Sequence, residues 1–230
     1  MSAALHRATR DELAGLPVEV APRLLGGELR TVPADDPSSE VRLRITEVEA
    51  YHGQGTGPFA DPGSHARMGR TARNATMWGE PGHLYVYLSH GIHSCVNVVC
   101  GPEGVAGGVL LRAGEVVGGV DAVARRRGVD SALTPRVVRD LARGPGRLGQ
   151  AVGLRHPLHD GIDAVSGAVR HGVRAELWLA APLDDVATGP RVGVAGVAGT
   201  DAFPWRFWVP GDPTVSPFRW GRGAREAVLD

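Results

Sequence analysis

Lysine is missing altogether: all 25 basic residues among the 230 are arginine, and 25 acidic residues balance them. Without a lysine side chain no internal Schiff base can form, so imine chemistry would fall to the α-amino group of Met1. Cysteine is almost as scarce. The two present, Cys95 and Cys100, stand in or beside a valine-rich stretch with no metal-ligand spacing to a histidine. That excludes a disulfide framework, makes a structural zinc site improbable and leaves buried thiols; no metal or cofactor is expected. There is no apolar run of membrane-spanning length, and no charged start followed by a signal-type apolar segment. A soluble intracellular protein is therefore expected. Zero net charge argues against a generally adhesive nucleic-acid binder but says nothing of local patches. Arg112 to Arg147 holds eight arginines against four acids, including the Arg125-Arg126-Arg127 run, which reads first as a solvated helix face.

What is present suits one compact unit. With 43% hydrophobic residues, the chain can fill one large core or two small ones, and no linker separates two domains. A capping box at Thr9 and Glu12 starts a short helix, and Pro17 suits the first turn of a second, ended by Gly26-Gly27. Strands are expected near 28–33 and 41–51, then, after a Gly/Pro loop from Gly53 to about Gly79, near 83–89, 92–99 and 105–113. Helices are expected near 116–127, 134–143 and 146–153, and short strands near 175–181, 190–197 and 205–209. Strands mixed with segregated helices predict an α+β fold, one domain over residues 1–230 with the first few residues and about 221–230 loose. Trp205, Trp208 and Trp220 read as core or rim packing.

The chemistry concentrates in the first half. Along Val41–Tyr51, period-two alternation puts Val41, Leu43, Ile45, Glu47, Glu49 and Tyr51 on one face and Arg42, Arg44 and Thr46 on the other. An aliphatic row that runs into two carboxylates needs a partner or a wet cleft. A solvated strand end or an arginine ion pair is the ordinary explanation; a site is the other. Loop 53–79 carries His65, Arg67, Arg70, Arg73 and Asn74, and loops of that length are commonly functional. Tyr85 and Tyr87 share a strand face, His90 precedes Gly91 at a turn, and Asn97 lies in a buried-strand context where its amide needs partners. Arg112 ends the run Val109-Leu110-Leu111, placed to pair with a carboxylate.

Glu47-Val48-Glu49-Ala50-Tyr51, Ser64-His65, Gly69-Arg70-Thr71-Ala72-Arg73-Asn74, Met77, Leu84-Tyr85-Val86-Tyr87, Cys95-Val96-Asn97 and Leu110-Leu111-Arg112-Ala113 together resemble the alkyladenine (3-methyladenine) DNA glycosylases. Gly144-Pro145-Gly146-Arg147-Leu148 and Pro204-Trp205-Arg206-Phe207-Trp208 extend the resemblance over about residues 17 to 220. It implies a mixed, mainly antiparallel curved sheet flanked by helices, like the C-terminal domain of methionyl-tRNA formyltransferases. Glu49 would be the general base for a water attacking the sugar C1′. Tyr51, His65 and Tyr87 would hold a flipped base, Asn97 would line its pocket against guanine-type bases, and Arg112 would support the catalytic carboxylate. Arg70, Thr71, Arg73, Met77 and Arg147 would touch the DNA. His90 stands where the family usually has a tyrosine that fills the gap left by the flipped nucleotide, so a weaker hold on the abasic product is expected.

The implied activity is excision of alkylated or deaminated purines from double-stranded DNA, without strand cleavage. It implies a monomeric cytoplasmic enzyme, nucleoid-associated in a bacterium. Base extrusion costs a few kcal/mol, and phosphate contacts from arginines position the duplex. Two readings from other classes are a non-catalytic nucleic-acid-binding domain of the same fold and a hydrolase of free nucleosides.

Overall fold

The structure, a computed structural model, describes residues 4–53 and 60–228. Residues 54–59 of the anticipated Gly/Pro loop lie outside the described residues. The fold is α+β, as the sequence predicts. In chain order it runs β1 (His6–Arg7), α1 (Arg10–Leu13), α2 (Pro17–Leu24), β2 (Glu28–Pro33), β3 (Val41–His52), β4 (His83–Ser89), β5 (His93–Val99) and β6 (Gly107–Gly118). Then come α3 (Val120–Arg126), α4 (Pro135–Arg139), α5 (Pro145–Val152), β7 (Ile162–Asp163), β8 (Val173–Leu179), β9 (Ala187–Gly189) and β10 (Arg206–Trp208). One sheet carries the order β1-β8-β2-β3-β6-β5-β4-β7, with β10 joining β3 to β9. Every pairing between these strands is antiparallel.

Local chemistry explains the helix starts. At α1 the Thr9 N–H donates to Glu12 Oε2 at 2.9 Å, and the Glu12 N–H reaches back to Thr9 Oγ1 at 3.4 Å, which satisfies two orphan donors. Helices α2 and α5 bury one face each, Val20, Ala21 and Leu24 in the first and Leu148, Ala151 and Val152 in the second. Each of the valines and leucines among them contributes roughly 1.5–3 kcal/mol when fully buried. Among the described residues no helix is long and apolar enough to cross a membrane.

The long strand β3 departs from simple alternation. Val41, Leu43 and Ile45 enter the main core, but so do Val48 and Ala50, which have the opposite parity. Register shifts against β6 fall between Ile45 and Glu47 and between Glu47 and Val48. An extra residue in one strand reverses the facing of everything beyond it. The expected shared face for Ile45 and Glu49 is thus corrected: the bulge turns Glu47, Glu49 and Tyr51 away from the core that holds Ile45.

Three element boundaries also differ. β6 continues to Gly118 because Glu115, Val116 and Gly118 pair with Arg44, Leu43 and Arg42, so α3 begins only after Gly119, at φ 76°. The region expected as a helix over 134–143 is α4 followed by a tight 3-10 turn at Asp140–Ala142. No strand forms over 190–197; positive φ at Gly193 (72°) and Gly196 (59°) breaks extended geometry and makes that stretch a rim loop.

Candidate active site

A cavity of about 850 Å³ opens beside the C-terminal half of β3. Strands β3, β4, β5 and β6 supply Glu49, Tyr51, Tyr85, Tyr87, Asn97 and Arg112 to its wall, and the 190–196 loop supplies Val192 to Ala195. Among the described lining residues Glu49 is the single carboxylate, facing Arg67, Arg112, Arg127, Arg143 and Arg147.

Glu49 is fully buried. Its Oε1 accepts from the Val192 backbone N–H at 2.7 Å and its Oε2 from the Tyr51 hydroxyl at 2.8 Å, and Arg112 Nη1 lies 3.6 Å from Oε1. A carboxylate oxygen has two lone pairs, so these donors fix the group without exhausting it. Burial first, and the neighbouring Glu49 second, push the Tyr51 phenol well above its ordinary pKa. The hydroxyl therefore stays protonated and keeps donating.

Glu47, two residues earlier, has a different job. It accepts from Arg206 Nε at 2.7 Å, the Ser216 N–H at 2.7 Å and the Ser216 hydroxyl at 3.0 Å, with Arg112 Nε at 3.2 Å. Glu47 is not among the lining residues. Geometry separates the two carboxylates: Glu47 is tied into the protein and Glu49 faces the cavity.

A third pair stands behind Tyr51. Arg191 is wholly buried and holds Asp61 through Nη1 at 2.8 Å and Nη2 at 2.7 Å, while its guanidinium lies 4.4 Å from the centroid of the Tyr51 ring. Glu47, Glu49 and Asp61 are thus matched by Arg112, Arg206 and Arg191, and a neutral buried cluster keeps the carboxylates tolerable in a low-dielectric site.

The opposite wall is aromatic. Tyr85 and Tyr87 stack at 5.4 Å and 22°, and His65 meets Tyr87 edgewise at 4.5 Å and 88°. Partial enclosure of the ring, then Arg67, lowers the His65 pKa. Burial raises the Tyr87 phenol and pushes the Cys95 thiol up to about 11, so Cys95 is inert. Asn97 donates to the Tyr85 carbonyl at 3.1 Å, which satisfies part of its amide and holds it at the cavity floor.

The expected DNA-contact residues divide. Arg70, Thr71 and Arg73 are exposed on a loop knitted by Asn74, whose Oδ1 accepts from the Thr71 N–H at 2.6 Å and whose Nδ2 donates to the carbonyls of His65 and Gly69. His90 is exposed on the β4–β5 turn, and Arg147 is exposed in the first turn of α5; both edge the cavity. Met77 differs. It is 3% exposed, packed with Ala66, Tyr85, Val99 and Ala106, and so presents its side chain to the cavity rather than to an outer surface. Sequence reasoning missed Asp61, Arg191, Arg206 and Ser216. For Arg191 the available signal was the Gly189-Pro190 pair just before it and Gly193 just after, turn punctuation that argues against a strand.

Among the described residues no group of three or more His, Cys, Asp or Glu side chains could hold a metal ion. Residues 11–213 match the model of the methylpurine-DNA glycosylase family. A protein of Leifsonia xyli subsp. xyli, provisionally named a 3-methyladenine DNA glycosylase, is 49% identical over 216 residues, 94% of each chain. Like-named proteins are 49% identical over 209 residues in Nocardia farcinica, covering 91% of this chain and 90% of the other, and 46% identical over 213 in Streptomyces avermitilis, covering 92% and 91%. With the family model spanning residues 11–213 and relatives of this similarity along nearly their full lengths, the chain belongs to the methylpurine-DNA glycosylase family.

Proposed function

We propose that this protein is a base-excision-repair DNA glycosylase that takes damaged purines, 3-methyladenine among them, out of duplex DNA and hydrolyses their N-glycosidic bond. The observation that carries the reading is the fully buried Glu49, the one carboxylate among the described residues lining an otherwise cationic and aromatic cavity. A binding platform has no use for such a group.

Glu49 takes the proton of a water whose oxygen bonds to C1′, while the base leaves with the electrons of the glycosidic bond. The oxocarbenium-like transition state places positive charge next to the carboxylate, which stabilises it. Tyr51 and the Val192 N–H hold Glu49 in one orientation, and Arg112 braces the Glu47–Glu49 side of the strand. With no lysine in the chain, water is the nucleophile and no strand cleavage follows.

The two tyrosine walls are unlike. Tyr87 has Tyr85 beside it and offers an electron-rich face, suited to cationic N-alkylpurines by cation–π attraction of about 0.5–2 kcal/mol. Tyr51 already carries Arg191 against its ring, so it contributes packing and a hydrogen bond more than charge recognition. His65 and Asn97 edge the base, and Met77 fills the cavity side. At the cavity edge His90 and Arg147, and beyond it Arg70, Thr71 and Arg73, meet the duplex, and the N-terminus of α5, which has no side-chain cap, suits a phosphate. Every group the reaction needs comes from one chain, so a monomer suffices. Its DNA substrate puts the protein in the cytoplasm with the nucleoid.

Purified protein incubated with methylated duplex DNA and with a hypoxanthine duplex tests the reading. Release of free 3-methyladenine by the wild type and not by Glu49→Gln is the expected result. A wild type that binds both duplexes and releases nothing would leave a non-catalytic DNA-binding domain in its place.

A further inference from the structure

Beyond the family-matched residues 11–213, the chain folds back over the cavity rim. The Gly193 N–H donates to the Arg219 carbonyl and the Gly196 N–H to the Arg222 carbonyl, both at 2.9 Å. Ala224 is fully buried, and a Cβ added at Gly221 would meet the Val194 carbonyl oxygen at 1.9 Å. The strap thus sits tightly on the loop that lines the cavity through Val192 to Ala195.

Its outward side is unusual. Phe218 and Trp220 are 37% and 41% exposed and meet edge to face at 4.9 Å. Arg219, Arg222 and Arg225 are exposed between and beyond them, and no acid occurs from Pro213 to Arg225. Among the described residues none of these three arginines forms an ion pair. In a chain of zero net charge, three exposed guanidiniums interleaved with an exposed ring pair, on a stretch without an acid, make a patch that is both cationic and aromatic. Arginine pairs with phosphate and aromatic rings with sugars and base faces, and nucleic acid offers both.

We propose that the strap Pro217–Arg225 is a second DNA-contact surface, with Arg219, Arg222 and Arg225 on phosphates and the Phe218–Trp220 pair against the sugar and exposed base faces of the strand beside the cavity. The proposal rests on the DNA-acting reading of the cavity. It makes the rim loop a spacer between two contacts, one holding the flipped base and one gripping the strand next to it.

The test is binding of the full chain to undamaged and abasic duplexes over a series of salt concentrations, with base release from methylated DNA run in parallel. The triple variant R219A/R222A/R225A is expected to flatten the log K against log salt slope by about 2 to 3, roughly 0.9 per lost phosphate contact. Its affinity should fall about tenfold or more at low salt, with the thermal midpoint unchanged because the strap is held by backbone bonds. Arg125→Ala, at an exposed position on α3, is the control and should leave the slope alone. Trp220→Phe should lose a DNA-induced change in tryptophan emission. A triple variant that matches wild type in slope and affinity, while wild type still releases base, overturns the strap and leaves the cavity reading standing. Wild type that binds and releases nothing overturns the catalytic reading of the cavity, and the salt slope of the triple variant then decides the strap by itself.

Discussion

Arg191 lies with its guanidinium 4.4 Å from the centroid of the Tyr51 ring, and the hydroxyl of that same tyrosine donates to Glu49 at 2.8 Å. A buried cation thus reaches the proposed catalytic carboxylate through a ring and a hydroxyl. Tyr51→Phe keeps the ring and its contact with Arg191 but removes the O–H. A hydrogen bond to a charged group is worth about 1.5–3 kcal/mol, so single-turnover base release should slow roughly 10- to 100-fold. Affinity for undamaged duplex should not change. Equal loss of binding and rate would make the hydroxyl a substrate contact instead.

The neighbouring carboxylates should respond in opposite ways. Glu47 is fully buried and pairs with Arg206 and Arg112, so Glu47→Gln strands the Arg206 guanidinium, leaves Arg112 with Glu49 alone, and should cost about 3–5 kcal/mol of stability, read from urea midpoints. Glu49→Gln keeps the Val192 N–H bond and should cost less stability, but removes the general base. Such a base contributes about 10²- to 10⁴-fold, and release should fall by at least that. If Glu47→Gln folded as well as wild type and lost activity instead, the assignment of the two would be reversed.

How much of this was legible beforehand depends on what each signal was. The motif residues around Glu49, Tyr51, His65, Tyr87, Asn97 and Arg112 could be read from the sequence, and the structure gathers them round one cavity. Capping at Thr9 and Glu12 was legible because it is local. The bulge at Thr46–Glu47 was not, because a bulge is set by pairing with β6, where Glu47 faces Ala113 far along the chain. Strict alternation therefore assigned Glu49 to the core face and reached the site for a reason the fold does not use. A strand was expected over 190–197, where Gly193 and Gly196 at positive φ make a loop. Arg191 went unseen for the same reason.

Stability should fall in acid through His52. The side chain is fully buried against Trp205, and burial lowers its pKa to about 4 from an unfolded value near 6.5. Between those values the unfolded chain binds more protons than the folded one, so stability rises with pH across the window. It is fully present above about pH 6.5 and lost as pH falls toward 4, by roughly 3 kcal/mol in all. His52→Phe should flatten that part of the stability–pH curve. A slope unchanged between pH 4 and 6.5 would assign the acid sensitivity to other groups.

Under the proposed function, the tip of the β4–β5 hairpin is the element that would fill the gap in the duplex. His90 and Gly91 have φ of 51° and 69°, and the Ile92 N–H closes the turn on the Ser89 carbonyl at 3.1 Å; positive φ at both central positions is what a tight hairpin turn demands. Side by side at this tip stand a polar ring and an aliphatic chain, with Ile92 73% exposed. Burying an isoleucine between base pairs returns about 1.5–3 kcal/mol, whereas a histidine ring gives up hydration to enter the same space. Ile92→Ala should therefore weaken binding to abasic duplex about tenfold or more, and His90→Ala less. His90→Tyr should tighten it, since a larger apolar ring enters the stack, even after about 1–2 kcal/mol for holding a tyrosine at positive φ. Equilibrium binding to an abasic analogue checks all three. A His90→Tyr protein that binds no better than wild type, beside an Ile92→Ala protein that binds far worse, would make Ile92 the wedge of this enzyme and His90 only the residue that turns the chain to present it.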